Sequence, residues 1–147
     1  MTGSQKLIAL DEDDLAVISA HVQESTVQIR DILWRQDEKR LVIAMKRLDW
    51  GGEKTGELAR RDQLSALRFE RVLSCQSRNI DLGSPDQEIE LLGIEFQAGK
   101  LPGGAIVLIF ANRGALRLDI ECLECELADF GPEPASGDDA VADAPVS

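Results

Sequence analysis

The sequence predicts an α+β domain, mostly antiparallel β, in which an N-terminal helix precedes two pseudo-symmetric β-β-β units that form a small barrel or sandwich. Three observations lead to this prediction. Apolar residues recur with helical spacing near the N-terminus, six later segments have the character of strands, and two of those segments resemble each other. With 147 residues, the chain is long enough for a single domain with its own core, predicted over residues 1–130.

The predicted helix spans residues 11–24. Asp11 is a typical N-cap, and acids follow it where the positive end of the helix dipole stabilises negative charge. Leu15, Ile18 and Val22 recur on one face. We therefore expect this face to pack on the sheet.

The first β-β-β unit is predicted over residues 26–80. Two strand-like segments flank the turn sequence at 37–39, which is typical of a hairpin. A third segment follows a long loop at 49–63, and four of its residues share one parity and should face the core: Leu67, Phe69, Leu73 and Cys75.

The second unit is predicted over residues 88–130. Its first strand alternates apolar and acidic residues, and the apolar run 105–111 is typical of a central strand. A tight turn at 112–114 leads into the third strand. The residues expected on the inner face of the first strand are Leu92, Ile94 and Phe96.

The third strands of the two units share a sequence pattern. ALRFERVLSCQ from Ala66 matches ALRLDIECLECE from Ala115 at an offset of 49 residues, which becomes 50 from Leu73 onward. The second copy therefore contains one extra residue within 120–122. This pattern indicates an internal repeat.

Residues 120–130 have two interpretations. An extra residue in a strand is a β-bulge, so the repeat favours a bulged strand. A helix is the alternative, because several apolar residues would share one of its faces and Gly131 with Pro132 would end it. The pattern leaves both open.

The net charge of −11 is concentrated near the two ends of the chain. Segments 11–14 and 131–147 together hold eight acids and no base, and without them the charge is −3. A nucleic-acid partner is not expected, because the overall field would repel it. The 131–147 segment is rich in Pro, Gly, Ala and acids, which predicts an acidic flexible tail.

Cysteine content and hydropathy predict a soluble cytoplasmic protein. No apolar run approaches the roughly 20 residues of a membrane helix, and the N-terminus lacks the apolar core of a signal peptide. The three cysteines are an odd number, which is typical of reduced thiols. We expect neither a membrane contact nor a disulfide.

A basic stretch in this acidic chain is the candidate contact site. The 49–63 loop distinguishes the first unit from the second, and long loops are common places for function. The alternative is a solvated strand face that neighbouring acids balance. The residues of the candidate contact, with an anion or a protein partner, are Trp50, Lys54, Arg60, Arg61 and Arg68.

Catalytic and metal-binding patterns are not recognisable in the sequence. The segment 51–56, GGEKTG, lacks the glycine that a phosphate-binding loop has before its lysine. His21 is the single histidine and is expected at the boundary or surface. Cys122 and Cys125 have no second pair to complete a zinc shell, so buried packing is the preferred interpretation. No catalytic residue, cofactor or metal ligand is predicted.

Four stretches of the chain carry a resemblance to a known family: KLIALDEDDLAVISAHVQES, KRLDW, SALRFERVLSCQSRNIDL and GALRLDIECLECELADFGP. They are similar to a bacterial family of uncharacterised proteins of about this length, a domain of unknown function. The resemblance implies a soluble cytoplasmic bacterial protein. It assigns no activity, cofactor or site residue.

Two functions follow as hypotheses. The first is a non-enzymatic protein-binding or self-associating β module, which would use the 49–63 loop, the arginines or an open strand edge. The alternative is a small-ligand-binding or enzymatic domain with an apolar pocket between the two β units. The aromatic residues that would line this pocket are Trp34, Phe69, Phe96 and Phe110.

Overall fold

The computed structural model describes residues 6–49, 61–100 and 102–132. In these residues the predicted α+β class, with mostly antiparallel strands, is confirmed. Helix α1 spans Glu12–Val22. The strands are β1 (Lys6–Ala9), β2 (Ser25–Gln28), β3 (Ile32–Arg35), β4 (Arg40–Asp49), β5 (Arg61–Phe69), β6 (Val72–Arg78), β7 (Glu88–Ala98), β8 (Gly104–Phe110), β9 (Ala115–Ile120) and β10 (Cys125–Pro132).

Helix α1 begins at the predicted cap and packs through the predicted face. The Asp11 side chain accepts a hydrogen bond from the Asp14 backbone N–H at 2.9 Å, which satisfies one of the free donors at the helix start. The three apolar residues that define the face are each no more than 2% exposed. Ser19 Oγ accepts a hydrogen bond from the Ile94 N–H at 2.9 Å, so the helix is tied to β7.

All described strands belong to one sheet whose pairings are antiparallel. Its order is β1-β10-β5-β4-β2-β7-β8-β9-β6, and β3 pairs with β4 off this path. The path starts at β1 and ends at β6 without returning. The described strands therefore do not form the closed barrel that was one of the two expected forms.

A single hydrophobic core draws side chains from both predicted units. Burial of each large aliphatic or aromatic side chain contributes roughly 1.5–3 kcal/mol, so this core supplies the main stabilisation. Its central strands each give at least two fully or almost fully buried residues, among them Leu41, Ile43, Leu67, Phe69, Ile106, Leu108, Leu116 and Leu118.

Each predicted third strand is in fact two strands. The first copy breaks after Phe69, where Arg71 has the left-handed backbone angle φ of 61°, and the second breaks after Ile120. β5 pairs with β4 and β10, whereas β6 pairs with β9. The second half of each third strand, β6 or β10, thus pairs with the other unit, which six continuous strands did not predict.

These breaks correct the predicted parity and settle the 120–130 segment. Leu73 is 47% exposed and Val72 is buried instead, because the β6 register shifts between Val72 and Ser74. A similar shift beside Leu91 leaves Leu92 40% exposed. β9 ends at Ile120, β10 begins at Cys125, and a loop at 121–124 joins them, so neither a helix nor a single bulged strand spans 120–130.

Two strand pairings correspond position by position. Cys125 pairs with Phe69, and Cys75 pairs with Leu118. At the matching positions, each β5 residue in the first pairing corresponds to the β9 residue 49 positions later in the second. Each β6 residue likewise corresponds to the β10 residue 50 positions later, as in the sequence match. The other corresponding pairs are Glu126 with Arg68 and Gln76 with Arg117, Leu127 with Leu67 and Ser77 with Leu116, and Ala128 with Ala66 and Arg78 with Ala115.

Candidate functional site

The predicted basic contact falls mainly outside the described residues. Trp50, Lys54 and Arg60 lie there, and Arg61 is described only through its backbone, which pairs with Asp49. Arg68 lies on β5 within an ion-pair group. This contact stays a prediction.

The Arg68 guanidinium is paired with two carboxylates. Its Nη2 donates a hydrogen bond to Glu126 Oε1 at 2.5 Å, and its Nε lies 3.1 Å from Glu70 Oε2. Glu70 also accepts from Arg40 Nε at 2.9 Å, and Glu126 lies 3.6 Å from Lys6 Nζ. Since two carboxylates lie against its guanidinium, Arg68 offers little free charge to an anion.

A charged surface groove of about 210 Å³ lies where the two third strands break. Lys39 Nζ donates to Glu121 Oε2 at 2.7 Å, and this bond holds the pKa of Glu121 below its usual range. Arg71 lies 3.4 Å from Glu124 and 3.8 Å from Glu121. The groove is lined by Glu38, Lys39, Glu70, Arg71, Glu121 and Glu124.

Backbone hydrogen bonds across the breaks hold this charged groove in place. The Glu70 N–H donates to the Glu124 carbonyl at 3.0 Å, and the Glu121 N–H donates to the Arg71 carbonyl at 3.0 Å. The Val72 N–H donates to the carbonyl of Lys39 at 2.9 Å. The strand breaks therefore form a hydrogen-bonded junction between the two units.

The two cysteines of the C-x-x-C pair occupy different environments. Cys125 is buried on β10, and burial strongly raises the pKa of its thiol. Cys122 lies in the 121–124 loop and is half-buried, and all three cysteines are free. No group of three or more His, Cys, Asp or Glu in the described segments is arranged to hold a metal ion.

We expect the two thiols to differ in reactivity. Cys122 should react with a disulfide reagent in the native protein, whereas Cys125 should react only after unfolding, because its buried thiol resists ionisation and contact with reagent. A time course of thiol labelling with mass spectrometry, with and without urea, measures this difference. Equal native rates at both cysteines would contradict the burial of Cys125.

Arg47, Ser65 and Asp129 form a buried polar network that the sequence did not predict. Arg47 Nη2 lies 2.8 and 2.9 Å from the two carboxylate oxygens of Asp129, and Arg47 Nε donates to Ser65 Oγ at 2.9 Å. Ser65 in turn donates to Asp129 at 2.6 Å, and Arg47 Nη1 donates to the His21 carbonyl at 3.1 Å. The network joins β4, β5, β10 and the end of α1, which makes it a structural tie.

His21 itself is exposed, as its sequence position suggested. Its Nδ1 lies 2.9 Å from the carbonyl oxygen of Val17, one turn earlier in α1. The histidine ring therefore belongs to the helix surface.

A shallow apolar groove of about 200 Å³ lies on the outer face of the sheet beside Phe130. Phe130 is 67% exposed and borders Leu64 and Ala44. Asp31 lines the same groove, and partial burial raises the pKa of its carboxyl. This groove was not predicted, because its walls come from β2, β4, β5 and β10.

The aromatic residues proposed to line a pocket between the units lie in or against the core. Phe69 and Phe110 are no more than 1% exposed, and Trp34 and Phe96 are partly buried against the same cluster. Their contacts are those of packed core side chains.

The corresponding strands β10 and β6 differ in what lies along their outer edges, and β1 and β6 are the two end strands of the described sheet. β1 pairs with the outer edge of β10 through Lys6 to Ala9. β6 corresponds to β10 in the strand registers, and its described pairing is with β9 alone. The outer edge of β6 is thus open among the described residues, apart from the Val72 bond to Lys39.

These features define the class of the protein: an α+β domain in which helix α1 packs on a broad antiparallel sheet. The chain belongs to the family described as Protein of unknown function (DUF2948), whose model matches residues 5–140. No curated protein and no solved structure matches it. Within the described part of the chain, no helix is long and apolar enough to cross a membrane.

Proposed function

We propose that this protein is a non-enzymatic interaction module that binds a partner by strand addition at the outer edge of β6. The observation that carries the proposal is the uneven covering of two corresponding edges, β10 by β1 and β6 by no described strand. An open strand edge presents unpaired N–H and C=O groups, and an extended segment that pairs with them gains main-chain hydrogen bonds.

The internal repeat supports this comparison of the two edges. We infer that the two β-β-β units are a duplicated pair, because the β5–β10 and β9–β6 registers agree at four successive positions. β1 then acts as an additional strand outside the duplicated pattern. It covers one of two edges that the duplication made alike.

The alternative function, a ligand pocket between the units, has less support. The aromatic side chains that would form its walls are packed in or against the core. The charged groove at the strand breaks is occupied by ion pairs between its own side chains. Among the described residues, neither the space between the units nor the charged groove presents a set of polar groups that are free to form hydrogen bonds with a substrate.

We further infer that the protein works in a reducing compartment, the bacterial cytoplasm. The three cysteines are free thiols, and Cys125 contributes to the core as a small apolar side chain. Nucleic acid is a poor partner for a chain with a net charge of −11.

Amide hydrogen exchange measured by NMR tests whether the β6 edge is open. In dilute protein, we expect those amides of Gln76, Ser77 and Arg78 that point away from β9 to exchange faster than the corresponding amides of Glu126, Leu127 and Ala128. The reason is that β1 covers β10. Equal protection of the two strands at a concentration where ultracentrifugation shows only monomer would mean that the chain itself covers the edge of β6, and the proposal would be wrong.

A peptide probe completes the test. A peptide with the sequence of residues 4–11, which includes β1, should slow exchange in β6, because β1 already pairs with the corresponding strand. The matched control is the same peptide with Ile8→Pro, which removes a backbone donor and should bind more weakly. Slower exchange elsewhere, with β6 unchanged, would contradict binding at this edge.

A further inference from the structure

The geometry points to a second copy of this chain as the occupant of the β6 edge, with the two β6 strands antiparallel about a twofold axis beside Gln76. This inference rests on the proposed function and names its partner. It would join the sheets of the two copies into one continuous sheet.

The composition of β6 favours pairing. From Val72 to Ser77 the strand has no charged residue and no proline, the two features that commonly keep sheet edges apart. Its register irregularity is confined to the step between Val72 and Ser74. Residues 74–78 therefore present five consecutive positions in regular antiparallel geometry.

Symmetry supplies the correct strand direction. A strand that meets its own copy across a twofold axis is necessarily antiparallel to it, so one surface makes both halves of the contact. An axis beside Gln76 uses the whole regular segment. It places Gln76 opposite Gln76 of the second copy, Cys75 opposite its Ser77, and Ser74 opposite its Arg78.

The charges fit this register. Ser74 Oγ donates to Asp119 Oδ2 at 2.8 Å on the adjacent strand β9. Arg78 of the second copy would lie opposite Ser74 and so approach the Asp119 carboxylate. The two Arg78 residues would lie four positions apart, or about 13 Å along the strand, so they do not oppose each other.

The Gln76 side chain is exposed, which makes it suitable for substitution without disturbing the core. Gln76→Lys places two like charges directly opposite each other at the axis. We expect the dimer to dissociate about two- to fivefold more easily, as for an unfavourable cross-strand pair. Analytical ultracentrifugation of both proteins measures the change, with the monomer fold checked by circular dichroism.

Cysteine cross-linking locates the axis. In a Cys75→Ser, Cys122→Ser background, Gln76→Cys should give a disulfide-linked dimer under copper-phenanthroline and air, which take up the two thiol protons and two electrons. Directly opposed Cα atoms lie about 4.5–5.5 Å apart, within disulfide range. Arg117→Cys is the matched control, since Arg117 is exposed and pairs with Gln76 one strand further in. It should not cross-link.

The outcomes separate this inference from the proposed function. Cross-linking at Gln76→Cys with a weaker Gln76→Lys dimer supports the second copy as occupant. A protein that stays monomeric up to about 1 mM while the residue 4–11 peptide protects β6 overturns the homodimer and leaves strand addition intact. A dimer that neither substitution affects places the interface elsewhere and also overturns the inference.

Discussion

Asp129→Ala is expected to lower the free energy of unfolding by about 3–5 kcal/mol, because it leaves the Arg47 guanidinium buried without its carboxylate. The side chains of Arg47 and Asp129 are only 12% and 8% exposed. Ser65 Oγ would also lose the acceptor that lies 2.6 Å away. Urea unfolding followed by circular dichroism measures the loss.

Three further variants distinguish the loss of the ion pair from a general sensitivity of the fold. Asp129→Asn keeps a hydrogen-bond acceptor and should cost less than Asp129→Ala. Asp37→Ala is the surface control, because Asp37 is exposed, and it should change stability by no more than about 0.5 kcal/mol.

The double variant Arg47→Met with Asp129→Leu should be more stable than Asp129→Ala, since it removes both buried charges together. A loss below about 1 kcal/mol for Asp129→Ala would show that solvent reaches Arg47 and that the network contributes little.

The sequence carried enough information for the helix and most strands. Asp11 marked the helix start because a short acidic side chain can accept the free N–H groups there. Apolar alternation located the paired strands because one face of each strand packs on the core. β1 was missed, because its four residues, Lys6 to Ala9, are too few to show a strand pattern and their strand state depends on pairing with β10.

The break after Phe69 was hidden because Arg71 is an unusual residue for a turn, whereas the break after Ile120 left one sign, the extra residue within 120–122, which was interpreted as a β-bulge. Arg71 and Lys39 both have a left-handed backbone conformation, and both have long charged side chains. Glycine or asparagine is the usual residue in that conformation, so neither position is recognisable as a turn. The sequence left Arg71 on the core parity of its strand, which was the one sign of irregularity in the first copy. Without the breaks, the pairing of β6 and β10 with the opposite units could not be inferred.

The buried network had a signal that the sequence analysis did not use. Ser65 shares the parity of Leu67, and Asp129 shares that of Leu127, so both polar residues fall on core-facing positions. Arg47 lies on β4, which pairs with β5, and it follows the buried Met45 by two residues. Only the three-dimensional arrangement shows that these groups meet.

The aromatic residues of the interior distinguish a packed core from a ligand pocket. Phe69 is fully buried and pairs with Leu41 on β4 and Cys125 on β10. Phe69→Ala is expected to cost about 3–5 kcal/mol, because it removes apolar contacts and leaves a cavity. Phe130→Ala removes the same ring from a site that is 67% exposed and should cost far less.

A third variant tests the correspondence between the units at the same site. Leu118 takes the place of Phe69 in the other unit, since Cys75 pairs with Leu118 as Cys125 pairs with Phe69. Phe69→Leu should therefore cost less than Phe69→Ala. Chemical unfolding of the three variants under identical conditions gives the comparison. Similar small losses for Phe69→Ala and Phe130→Ala would mean that Phe69 faces open space, and the pocket between the units would regain support.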